Sequence, residues 1–162
     1  MASGKTTVGF DLANLLGYKF IDLDVYIEEK HHKTIKAIFD LYGEDKFREY
    51  ENESLLEVSA LQGDIVIASG GGTSCFYNSI DFMNKVGITI YLKVGVGELL
   101  SRIIESKAER PLLWGKNKEE MNDYIIRVLE ERKKYYEKAK ITIDYHQLDK
   151  NQLANTIRSL GV

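Results

Sequence analysis

Basic charge is in short supply: the 162-residue chain carries 22 lysines and arginines against 25 aspartates and glutamates, a formal net charge of −3. That balance argues against a nucleic-acid or anionic-membrane binder, because both need a basic excess, and any anionic ligand must be met by locally gathered cations. Cysteine is nearly missing. Cys75 is the only one, so neither a disulfide framework nor a cysteine metal site can be built, and a reducing cytoplasm is the natural compartment. Beside Phe76, it reads as a packing residue. No apolar run approaches the roughly twenty residues of a membrane span, and no basic-then-apolar signal opens the chain. His31, His32 and His146 lack ligand-like spacing and carboxylate partners, and are assigned no chemistry. What remains, 44% apolar and 29% charged, is the composition of an ordinary globular domain, read here as a single unit over 1–162.

One further absence bears on function. Gly4-Lys5-Thr6 opens an amphipathic stretch and matches the back half of a phosphate-binding loop, G-x-x-x-x-G-K-[ST], in which backbone N–H groups and the lysine cradle phosphates and the hydroxyl holds Mg²⁺. The first glycine of that motif falls two positions before Met1, and the strand that should precede it is not in the sequence. Alone, these residues leave a nucleotide site and a solvated helical lysine both open.

Periodicity supplies the frame. Residues 5–16 read as a helix with Val8, Leu12, Leu15 and Leu16 on one face and Gly17 as its stop. Lys19 to Asp24 reads as a short strand. Thr34 caps a helix closed by Gly43, and a second runs from Glu44 to about Leu61. Ile65–Ala68 and Ile88–Leu92 are buried-type strands, each followed by helical patterns. Lys107 to Lys116 is a polar loop holding the only proline, Pro111. Asn117 and Glu120 form a capping box for a long helix, Lys140 to Tyr145 is the last strand, and Asp149 caps the final helix. Strands alternating with helices indicate an α/β protein with a parallel sheet covered on both faces, whose ligands bind at the carboxyl ends of the strands.

The Asp22/Asp24 pair and the triple glycine lie at two such ends, the phosphate loop would lie at a third, and further candidates lie on helices and in the polar loop. Asp22 and Asp24 flank Leu23, which on a strand puts both carboxylates on one side; a capping role is the plainer alternative. Arg48 and Glu51 stand one helical turn apart and can pair. Gly70-Gly71-Gly72 after a strand suggests close approach of a ligand, since three glycines cost backbone entropy. Arg110-Pro111-Leu112-Leu113 lies where a lid could bring a guanidinium over phosphate. Arg132 sits in a basic helical stretch that otherwise reads as a solvated face.

In order, Gly4-Lys5-Thr6, Phe20-Ile21-Asp22-Leu23-Asp24, Phe47-Arg48 with Glu51, Gly70-Gly71-Gly72, Arg110-Pro111-Leu112-Leu113, and Arg132 followed by Tyr136, Glu137 and Ala139 resemble shikimate kinase over nearly the whole chain. The resemblance implies a three-layer α/β fold like that of P-loop nucleoside-monophosphate kinases, with a central parallel sheet in the order 2-3-1-4-5. It implies a lid around 107–117, substrate-binding helices around 34–61, and a cytoplasmic monomer that uses Mg²⁺ and ATP to phosphorylate the 3-hydroxyl of shikimate. Ala2, Ser3, Gly4, Lys5, Thr6 and Thr7 would bind the nucleotide, with Lys5 on the β and γ phosphates. Thr6 would ligate Mg²⁺, with Asp22 in its outer shell. Asp24 would be the general base. Arg48 and Arg132 would clamp the substrate carboxylate beside Gly70, Gly71 and Gly72, and Arg110 would close over the phosphates. Arg102, one position off the expected alignment, would face adenine.

Two departures follow. The family usually has glycine at the position of Ala2, and strand 1, central in that sheet, is missing. Orphaned strand edges would cost about 1–3 kcal/mol per polar group against a domain stability of about 5–15 kcal/mol, so the sequence is expected to belong to a longer chain. A second small-molecule P-loop kinase, such as a gluconate kinase, or a non-catalytic nucleotide- or shikimate-binding protein are the competing readings.

Overall fold

The computed structural model describes residues 2–105, 115 and 117–161. Its helices are α1 (Lys5–Leu16), α2 (Leu23–His31), α3 (Ile35–Ser59), α4 (Ser79–Val86), α5 (Val96–Glu105), α6 (Lys118–Tyr136) and α7 (Lys150–Ser159); its strands are β1 (Lys19–Asp22), β2 (Ile65–Ala68), β3 (Ile90–Lys93) and β4 (Ile141–Asp144). The local signals act as the sequence suggests. Gly17 ends α1 at φ 76, a left-handed value that glycine adopts without steric cost. Thr34 caps α3 by accepting from the Ala37 N–H, and Asn117 with Glu120 makes a reciprocal capping box on α6. Gly43, at φ 77 and ψ 177, kinks α3, so the two helices expected there abut without a linker.

Two expectations need correction. The first strand stops at Asp22, because that carboxylate caps a helix the sequence reading did not foresee, α2. Leu15, expected in the core, is exposed; the buried face of α1 is Val8, Gly9, Leu12 and Ala13. The strands among the described residues form two parallel pairs, β1 with β2 and β3 with β4.

In the order 2-3-1-4-5 those pairs are 2-3 and 4-5. Between them lies a cavity of about 460 Å³, lined by Val8 and Leu12 of α1, Ile65 and Ile67 of β2, and Ile90 and Leu92 of β3. Facing it, Ile65–Ile67 and Ile90–Tyr91, expected to be fully buried, are only half-buried.

Three apolar clusters join the pieces. Leu23, Ile27, Ile38, Phe47, Leu55 and Val58 weld α2 to α3, with Ile21 and Ile67 of the first strand pair packed against them. Leu99, Leu100, Ile103 and Ile125 join α5 to α6. Leu12 with Leu153, Ala154 and Ile157 ties α1 to α7, and Ile90, Ile141 and Ile143 of the second pair pack on that seam. Each such side chain is worth about 1.5–3 kcal/mol when fully buried, so α1, touching both β2 and α7, is the brace between the two halves. Its N-terminus and the carboxyl ends of β1 and β2 therefore open onto one cleft.

Candidate active site

Gly4 is the N-cap of α1 at φ 85. A Cβ there would lie 3.3 Å from a ring carbon of Tyr145 and 3.5 Å from Arg102 Nη1, so this position lacks both the conformational freedom and the room for a side chain. A helix N-terminus of this kind presents backbone N–H groups and the positive end of the dipole, which favour an anion. Lys5 Nζ donates to Ser3 Oγ at 3.4 Å, and Thr6 and Thr7 are exposed. Ala2 has φ 45, a left-handed value costly for a residue with a Cβ. Ala2→Gly should therefore raise stability by about 1 kcal/mol, glycine's own entropy cost deducted, read as a Tm increase of about 2–4 °C.

Asp22 and Asp24 do not share a strand face. Asp22 ends β1 and uses Oδ1 to accept the N–H groups of Asp24 and Val25 at 3.0 and 3.4 Å, while its Oδ2 accepts from Thr6 Oγ1 at 2.6 Å. One carboxylate thus caps α2 and also reaches Thr6 of the phosphate loop, so the capping alternative is correct. Asp24 sits in the first turn of α2. Its side chain is open to the cleft by surface area, yet protein surrounds it closely, and burial is the largest cause raising its pKa from 3.8 to about 6; the nearby Glu51 and Asp22 carboxylates push the same way and Lys5 opposes them.

The triple glycine is the hub of the other wall. A Cβ on Gly70 would fall 2.5 Å from Glu51 Oε1, 3.0 Å from Thr73 Oγ1 and 3.3 Å from Asp24 Oδ1. One on Gly72 would fall 2.4–2.7 Å from the Arg48 guanidinium. Arg132 Nη1 and the Tyr136 hydroxyl both donate to the Gly71 carbonyl, at 3.0 and 2.5 Å. Behind the turn, Arg48 and Glu51 form an almost fully buried pair at 2.7 Å, and Glu51 also accepts from Thr73 Oγ1 at 2.6 Å. Burial alone would pull the Arg48 pKa down, but Glu51 and Glu44 outweigh it and hold it above its ordinary value. Gly72→Ala should drive the guanidinium out of place and cost one charge-assisted contact, weakening binding of a carboxylate substrate about 10- to 100-fold, as checked by equilibrium titration.

Arg102 lies across the phosphate loop from this wall. It donates to the Ala2 carbonyl at 3.2 Å, pairs with Glu98, and stacks 4.1 Å over the Tyr145 ring. Arg110, Pro111, Leu112 and Leu113 fall outside the described residues, as does the lid around 107–117 apart from Gly115 and Asn117. Cys75, just past the glycines, is half-buried rather than a core residue, and burial is the main cause raising its pKa.

Among the described residues no cluster of three or more His, Cys, Asp or Glu could hold a metal ion. The Thr6 hydroxyl and Asp22 carboxylate, in contact with each other, are nonetheless a hard-oxygen pair of the kind Mg²⁺ uses when waters and phosphates supply its other ligands. No helix among the described residues is long and apolar enough to cross a membrane.

A phosphate loop, a carboxylate with a raised pKa and two guanidinium groups on one glycine turn are the parts of a kinase for a small anionic alcohol. The family model of shikimate kinase matches residues 1–160. The chain belongs to the shikimate kinase family. A shikimate kinase of Parabacteroides distasonis is 43% identical, over 99% of this chain and 94% of that protein. The crystal structure of the shikimate kinase of Bacteroides thetaiotaomicron superposes with a TM-score of 0.86 at 41% identity, covering 99% of this chain and 91% of the other. That of Acinetobacter baumannii, in complex with shikimate, gives 0.85 at 37% identity, covering 99% and 87%. The fold is accordingly the α/β P-loop type expected.

Measured against a shikimate kinase site, sequence reasoning overlooked several residues. Glu44 and Thr73 were not singled out, and Tyr136 was noted without a role. Glu44 is four residues before Arg48 and Tyr136 four after Arg132, so helical spacing was a usable signal for both. For Thr73 no spacing rule points across the fold to Glu51.

Proposed function

We propose that this shikimate kinase transfers the γ-phosphoryl group of ATP to the 3-hydroxyl of shikimate in the following way. The substrate carboxylate lies against Arg48 and Arg132, whose planar guanidinium groups match it bidentately, and the ring packs over Gly70, Gly71 and Gly72. The reacting hydroxyl faces Asp24. As its oxygen bonds to the γ-phosphorus, its proton passes to Asp24 and the bond to the β-phosphate oxygen breaks, releasing ADP. Lys5 and the N–H groups of residues 3–7 carry the phosphate charge, with Arg110 contributing from the lid and Arg102 lying on the nucleobase side. Thr6, with Asp22 in the outer shell, would hold Mg²⁺, which would supply charge neutralisation at the phosphates. The enzyme works in the cytoplasm as a monomer.

The observation that supports this reading most strongly is the gathering of Asp24, Arg48 and Arg132 around one glycine turn. Phosphoryl transfer to any alcohol needs a base, but a second wall of arginines is useful only if the alcohol also carries an anionic group; gluconate carries a carboxylate as well, so the choice between the two substrates rests on turnover. A coupled ADP-release assay with shikimate and gluconate decides. ADP release with shikimate supports the reading; turnover of gluconate alone, or binding of shikimate and ATP without turnover, overturns it.

A further inference from the structure

Arg48 is unusually committed for a residue meant to receive a ligand. Its Nη1 donates to Glu51 Oε2 at 2.7 Å, and its Nε and Nη2 both donate to a single oxygen of Glu44, Oε1, at 3.2 and 2.8 Å. Nε and Nη2 form one of the two edges at which a guanidinium can take a carboxylate bidentately. In the empty site that edge is therefore filled by a carboxylate belonging to the protein. A substrate carboxylate arriving there meets one arginine already flanked by two negative side chains, with Asp24 beyond Glu51 across Gly70.

The two carboxylates on Arg48 are not equally able to yield. The Glu51 side chain is 3% exposed and is fixed by Thr73 as well as by Arg48, so removing it would strand a buried charge. The Glu44 side chain is 42% exposed and stands next to the Gly43 kink of α3, where water can receive it. Its hold is also the weaker kind. It offers one oxygen to two donors, whereas a carboxylate using both oxygens makes two parallel bonds on the same edge.

Resting on the reading of the site given above, we infer that Glu44 is a displaceable stand-in for the substrate carboxylate: it occupies the Nε–Nη2 edge of Arg48 in the empty enzyme and must swing to solvent before shikimate can bind there. Glu44 is thus a positioning residue that keeps Arg48 extended and selects against ligands unable to displace it. Its negative charge works against binding, so shortening its reach or neutralising it should tighten the enzyme's grip on shikimate. A residue that merely propped up the helix would do the reverse.

The test compares Glu44→Gln with wild type in steady-state kinetics and in direct titration, using shikimate and its uncharged carboxamide analogue. An exposed pair four residues apart on a helix competes by a modest amount, so KM and Kd for shikimate should fall about two- to fivefold, with no comparable gain for the carboxamide. Glu44→Asp, which keeps the charge but not the reach, should likewise bind shikimate more tightly. Unchanged or weakened shikimate binding in Glu44→Gln, or an equal gain for both ligands, overturns the inference. A wild-type enzyme that neither binds nor phosphorylates shikimate would instead remove the reading on which it rests, and the wild-type titration separates the two failures.

Discussion

Asp24→Asn lowers kcat by about 10²- to 10⁴-fold, the usual contribution of a positioned general base. Asparagine keeps the shape of the side chain and its place in the first turn of α2, so shikimate and ATP should still bind, and the loss should fall on turnover. The pH dependence makes the test specific. With a pKa of about 6, Asp24 is largely protonated below that value and unable to accept the hydroxyl proton. Wild-type kcat/KM should climb as pH rises through about 6, and the residual activity of Asp24→Asn should lack that limb. Stability moves the opposite way. The folded state binds the Asp24 proton more tightly than the unfolded chain, whose value is 3.8, so this group's stabilising contribution is complete below about 3.8 and is lost as pH rises through about 6. In Asp24→Asn that decline should vanish from a series of thermal melts. Turnover within a few-fold of wild type, or an unchanged acid limb, would show that another group takes the proton.

The same residue shows where reading a sequence succeeds and where it stops. Caps and helix stops at Gly17, Thr34 and Asn117 are legible because they depend on neighbours in the chain. Asp22 and Asp24 were singled out but placed on a strand, since a period of two suits both a strand end and a cap with its first helical turn. What separates these is the Asp22 carboxylate accepting two N–H groups of the following turn, a choice made by the chain's path and not by residue spacing. Arg48 and Glu51 were legible as a pair, yet their value as a buried pair was not. Burial comes from Gly72, Phe76 and Thr73, which contact Arg48 or Glu51 from another element. The glycine turn illustrates the point most fully. Three glycines announce a close approach but cannot say of what, and here Gly70 makes room for two carboxylates, Gly72 for a guanidinium, and Gly71 offers its carbonyl to Arg132 and Tyr136.

The two strand pairs are joined through α1, which packs on β2 and on α7, so side-chain burial across that brace does joining that backbone ladders do within each pair. Function depends on that brace, because Lys5 and Thr6 stand at the N-terminus of the same helix that positions the halves.

Lys5→Ala is expected to lower turnover by about 10²- to 10³-fold, the scale of losing one preorganised charge contact to a transferring group, while leaving shikimate affinity close to wild type. The separation follows from the two walls of the cleft. Lys5 belongs to the phosphate loop and neighbours Ser3, whereas Arg48 and Arg132, proposed to take the carboxylate, lie on α3 and α6. Arg132→Ala should show the converse pattern, with a raised KM for shikimate as its first effect. Lys5→Ala also carries a signature that a simple loss of ATP binding would not produce. Lys5 is the one cation among the main influences on Asp24, and it holds that pKa down against burial and the neighbouring carboxylates. Removing it should move the acid limb of the residual activity to higher pH, above the wild-type value near 6. A limb that stays in place would mean that Lys5 and Asp24 do not share one electrostatic site, and with that the arrangement of base and phosphate proposed for this enzyme would fall.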